Sequence, residues 1–91
     1  MRRFIIERDM QGIGAADAAA LRTGSQKSND VLAKLGSGIQ WVESFVTADK
    51  IFCVYLARDE AIIRRHAEES GFPASRITEV KARIEPMTAS A

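Results

Sequence analysis

The stretch Ile39-Gln-Trp-Val-Glu-Ser-Phe-Val-Thr-Ala-Asp-Lys-Ile-Phe-Cys-Val-Tyr-Leu-Ala57 decides the fold. It reads as two strands rich in β-branched and aromatic residues, joined by a tight turn at Ala48-Asp49. It also holds the only Trp, the only Tyr and the only Cys of the chain. In a two-residue hairpin loop Thr47 pairs with Lys50. Phe45 then faces Phe52, Glu43 faces Val54 and Trp41 faces Leu56 on one side of the ribbon. On the other side Val46 faces Ile51, Ser44 faces Cys53 and Val42 faces Tyr55. Both faces of the second strand are apolar, and helices from the same chain can cover only one. The Ser44-Cys53-Tyr55 side is expected under the helices. A patch of Trp41, Phe45, Phe52, Val54 and Leu56 left open is large for a monomer. The expectation is a homodimer that pairs through this open sheet face into an α/β barrel.

Working outward, Arg3 to Glu7 reads as a first strand. Met10-Gln-Gly-Ile-Gly14 lacks a third glycine and a Gly-Lys-Ser/Thr run, so it is a loop rather than a phosphate cradle. Ala15 to Leu35 reads as a helix with Leu21, Ser25, Ser28, Leu32 and Leu35 on one face. Gly24 is a soft point within it, and Gly36 is a natural cap at its end. After the hairpin, Arg58-Asp59-Glu60 opens a second helix with acidic residues where the dipole favours them. Gly71 and Pro73 end it. Ile77 to Ile84 alternates as a fourth strand. The order β-α-β-β-α-β is the ferredoxin-like split βαβ arrangement. It is an α+β fold with a four-stranded antiparallel sheet, its first and third strands in the centre, and both helices on one face. Residues 1–85 form the single domain, and residues 86–91 are expected to be a flexible tail.

Composition narrows the partners. Thirteen basic and twelve acidic residues leave a net charge of +1. No basic stripe appears, which argues against nucleic acid. The apolar run near the N-terminus is too short for a signal-peptide core, and no stretch approaches a membrane span. One cysteine cannot form an intramolecular disulfide. The expected location is cytoplasmic.

His66, the only histidine, lies on the helical face of Ile62 and Ile63 and is either a satisfied core residue or a ligand aimed at the sheet. Cys53 is a buried inert thiol unless a basic neighbour lowers its pKa, and His66 is the one at hand. Tyr55 needs a hydroxyl partner when buried. Trp41, Glu43, Ser44, Tyr55 and His66 are the candidate ligand-binding residues, and His66 with Cys53 the candidate metal ligands. Glu7, Glu43 and Glu79 can share one sheet face, as ion pairs with nearby Arg and Lys or as a hard site between subunits. The chain has too few His and Cys for a closed tetrahedral zinc site. Lys50-Ile-Phe-Cys-Val-Tyr55 lacks the glycines of an RNA-recognition strand. The loop after the first strand has no arginine for an acylphosphatase-like phosphate site.

Gly38-Ile-Gln-Trp41-Val-Glu-Ser44-Phe-Val, Lys50-Ile-Phe-Cys53-Val-Tyr55-Leu-Ala57, His66 and Gly71-Phe-Pro73, in that order, resemble a small bacterial family labelled a domain of unknown function and also named nickel-binding protein. Phe4-Ile-Ile-Glu7-Arg8-Asp9 is similar to its opening. The resemblance spans about Arg3 to Ile84. It implies a ferredoxin-like fold, a dimer and a divalent transition metal such as nickel. Members tied to nickel are richer in histidine near the end of the first strand, where this chain has Glu7-Arg8-Asp9. The reading favoured is a dimeric ligand- or metal-binding protein without catalytic turnover. The alternatives are a small dimeric α/β-barrel enzyme of monooxygenase or isomerase type acting on a small apolar substrate, and a structural or interaction module.

Overall fold

The computed structural model describes residues 1–90. Strand β1 runs Arg2–Asp9, helix α1 Ala18–Leu35, β2 Ile39–Val46, β3 Lys50–Ala57, α2 Glu60–Ser70 and β4 Arg76–Glu79. Short 3-10 turns occupy Ile13–Ala15, Gly36–Gly38 and Pro86–Ser90. The sheet order is β2-β3-β1-β4, every pair antiparallel. This is the ferredoxin-like α+β arrangement the sequence predicts. The sheet of one chain is open and is not itself a closed barrel. No helix of the described residues is long and apolar enough to cross a membrane.

One face of the sheet carries the core. Phe4 and Ile6 of β1, Cys53, Tyr55 and Ala57 of β3, and Ile39 of β2 pack with Ile62 and Ile63 of α2. Leu32 and Leu35 of α1 close over them. Ser44, Cys53 and Tyr55 therefore lie beneath the helices, as expected. The opposite face presents Ile5, Glu7, Glu43, Phe45, Phe52, Val54 and Leu56, with Phe45 55% exposed.

Three local differences from the sequence reading have physical causes. Helix α1 begins at Ala18, three residues later than predicted, because Asp17 caps it by accepting from the Ala20 amide at 2.8 Å. The preceding residues are held elsewhere, since the Gly14 amide donates to the Ala48 carbonyl at 2.9 Å. The hairpin register follows the prediction from Val46↔Ile51 to Glu43↔Val54, then a β-bulge intervenes. Val42 is the extra residue, and Trp41 pairs with Tyr55 instead of Leu56. A bulge inverts the facing of everything beyond it. Trp41, predicted on the open side, thus joins Ser44 and Tyr55 on the helix side. Strand β4 stops at Glu79 rather than Ile84. One further bond, Val80 amide to Arg3 carbonyl at 2.8 Å, brings it to the start of β1, where the edge it pairs with ends. The segment predicted as a tail carries the Pro86–Ser90 turn, with the Glu85 amide donating to Thr88 Oγ1 at 2.9 Å.

Two glycines make opposite predictions. A Cβ on Gly14 would sit 2.8 Å from Ala48 Cα and 2.9 Å from the Thr47 carbonyl oxygen. Gly14→Ala is expected to destabilise by about 1–3 kcal/mol through overpacking. A Cβ on Gly24 would meet only Phe72 Cζ, at 3.8 Å. Gly24→Ala is expected to stabilise by about 0.5–1 kcal/mol by reducing unfolded-chain entropy. Urea unfolding of both variants reads the two signs.

Candidate functional site

Between α1 and the sheet lies a cavity of about 340 Å³. It arises from the side chains α1 turns inward. Ala20, Gly24 and Ser25 present only small side chains over the sheet, and Ser28 lies beside them. Its floor is Trp41, Ser44 and Val46 of β2 with Ile51, Cys53 and Tyr55 of β3. Met10, Ile13, Leu21 and Phe72 complete an apolar wall, and Arg8 lies at one side. The volume falls at the small end of small-molecule sites, roughly 300–1,000 Å³.

The β-bulge supplies one wall. It turns the Trp41 indole onto the cavity side, and its Nε1–H donates to Ser44 Oγ at 2.8 Å. A buried indole N–H needs such a partner, so Ser44 fixes the ring.

Arg8 is the charged group of the site. It follows Phe4 and Ile6 on the inward-facing positions of β1 and is only 3% exposed. Nη1 donates to the Pro73 carbonyl at 2.9 Å and to the Phe72 carbonyl at 3.4 Å. Nη2 approaches Tyr55 Oη at 3.5 Å, and the guanidinium carbon lies 6.0 Å from the Tyr55 ring centre.

His66 is fully buried behind this wall and does not line the cavity. Its Nε2 is 3.1 Å from Ser28 Oγ, and its ring centre is 5.6 Å from that of Tyr55. Nδ1 has no partner. An unpaired buried N–H is rarer than an under-used acceptor among backbone groups. By the same preference the ring proton belongs on Nε2, donating to Ser28, with Nδ1 a bare lone pair. Burial, then the nearby Arg8 charge, pushes the His66 pKa below 6.5. Burial pushes the Tyr55 phenol up, partly opposed by Arg8.

Of the candidates from sequence, Trp41, Ser44, Cys53 and Tyr55 meet in the cavity, and His66 backs it through Ser28. Glu43 lies on the opposite face of the sheet. The three glutamates do not share a face. Glu7 faces the open side with Lys50 at 3.4 Å, while Glu79 has the other parity and pairs with Arg2 at 2.8 Å. Among the described residues no three His, Cys, Asp or Glu side chains converge as a metal site. Sequence reasoning missed Arg8. The charged run Glu7-Arg8-Asp9 looked like a strand end, although the Phe4, Ile6, Arg8 alternation carried the signal.

Fold and cavity define a small ferredoxin-like protein with a partly open cavity between helix and sheet. The chain belongs to the SCO4226-like family, described as nickel responsive protein SCO4226-like, whose model matches residues 4–80. Among solved structures it is similar to the crystal structure of SCO4226 from Streptomyces coelicolor A3(2), with a TM-score of 0.76. That match covers 90% of this chain and 99% of the other at 18% identity, a likeness of fold. No curated protein matches the chain.

The His66 shift gives a pH dependence with a definite sign. Its folded pKa lies below the unfolded value of 6.5. The unfolded chain therefore takes up a proton that the folded one refuses. The stability from neutral His66 is full above about pH 6.5 and is lost as pH falls through the lower folded value. Glu79, held down to about 2 by its hydrogen bond to Arg2, acts in a separate window below its ordinary 4.5. Urea midpoints are expected to fall between pH 7.5 and 5.5, and His66→Gln to flatten that slope.

Proposed function

We propose that this protein binds a small, largely apolar molecule in the cavity between α1 and the sheet, without chemical turnover. The observation that carries this reading is an apolar cavity with a few fixed polar groups, among them Ser44, Tyr55 and Arg8. That is how small-molecule sites are built. Among the described residues no hydrogen bond joins Cys53 to His66, whose side-chain contact is with Ser28. A thiol nucleophile needs a base within hydrogen-bond reach, so the arrangement favours binding over catalysis. Trp41 is the sole tryptophan and lines the cavity. Titration with 1-octanol is expected to change its emission saturably. Ser25→Phe, which fills the cavity from α1, is expected to abolish that change in a protein that still folds by circular dichroism. An unresponsive wild-type Trp41 would remove this reading.

The name of the family attaches nickel to relatives. Among the described residues no three His, Cys, Asp or Glu side chains converge, so one chain by itself does not fit the metal. Calorimetric titration with nickel is expected to give no Kd tighter than about 1 mM, the weak end of useful affinity.

We also propose that the open face, with Ile5, Phe45, Val54 and Leu56, pairs with a second copy. Apolar area of this kind on a sheet favours burial against another sheet. Light scattering at micromolar concentration is expected to give twice the chain mass of 10.0 kDa, and Val54→Glu to give the single-chain mass. A wild-type chain that scatters as a monomer would count against it.

A further inference from the structure

Arg8 carries a charge that no ion pair among the described residues balances. The ion pairs of the described residues involve other side chains, and none includes Arg8. Its partners are the carbonyls of Phe72 and Pro73 and the Tyr55 hydroxyl, all uncharged. Tyr55 stays protonated, since burial raises its pKa. Carbonyls and an aromatic face stabilise a cation, but a buried charge is ordinarily paired. The Nε–H and one Nη2 hydrogen have no protein acceptor among the described residues. Arg8 is 3% exposed and lines the cavity, so the cavity is where an acceptor can come from.

Resting on the cavity reading above, we infer that the ligand is a monocarboxylic acid with an apolar body, its carboxylate paired with the Arg8 guanidinium. A planar guanidinium matches a carboxylate through parallel N–H···O bonds. One positive charge balances one negative charge. A phosphate dianion would leave a second charge buried against apolar walls. Leu21, Ile51, Trp41 and Phe72 then take the body of the acid.

The test compares octanoate with 1-octanol, equal chains that differ in charge, against the full chain at pH 7.5 with Trp41 emission as readout. Octanoate is expected to bind at least about tenfold tighter, the lower end of what a hydrogen bond to a charged group contributes. Arg8→Met is expected to erase that preference. Equal affinities in the wild type, or a folded Arg8→Met that still prefers the acid, would overturn the inference and leave the cavity reading standing. Silence of Trp41 toward both compounds up to several millimolar would overturn both. Should Arg8→Met not fold, the wild-type comparison alone decides.

Discussion

The pairing of β1 with β3 fixes which side chains lie under the helices. The two strands are antiparallel and in register from Arg2↔Ala57 to Asp9↔Lys50 without interruption. Partners in such a ladder share a face. Phe4 thus sits beside Tyr55, and Ile6 beside Cys53, on the covered side. Arg8 is carried to the same side beside Ile51 because it stands two residues beyond Ile6. A slip of one residue would send Phe4 and Ile6 to the open face and bring Glu7 inward. The core, the charge in the cavity and the apolar open face all follow from that one register.

Much of this was legible in the residues. The alternation of the strands, the acidic opening of α2 at Arg58-Asp59-Glu60, the cap at Gly71 and the hairpin turn all led to the observed topology. The bulge was less legible, since no glycine marks it. Its trace is Gln40. An unbroken register would set Gln40 among the helix-facing residues and Ile39 on the open face, whereas the bulge buries Ile39 and exposes Gln40. Strand β4 was overextended because alternation describes a strand's own faces and says nothing about the length of its neighbour. Arg8 was missed for the complementary reason. A charged run reads as the end of a strand, while the ladder with β3 keeps Arg8 inside. The cavity itself could not be read from the chain. It depends on where the small residues of α1 stop above the sheet.

Space and stability are linked along α1. Gly24 costs about 1 kcal/mol relative to alanine in a helix interior, and Ser25 and Ser28 add little apolar burial. Their small size leaves space over Trp41 and Ser44. The far half of the helix packs conventionally, with Val31 buried and Leu32 and Leu35 against the core. One helix thus supplies a firm half and an open half. The polar chain from Arg8 through Tyr55 to His66 and Ser28 lines the boundary between them.

The sheet order also governs how the chain assembles during synthesis. β1 is made first, yet its neighbour on one side is β3 and on the other β4. Both arrive late, and pairings between distant segments form slowly. Until Ala57 has emerged, β1 has neither edge satisfied while α1 can already form from local contacts. Exposed strand edges favour pairing between chains. The charged Arg2, Arg3, Glu7, Arg8 and Asp9 around a short apolar centre give that waiting strand the features that oppose such pairing.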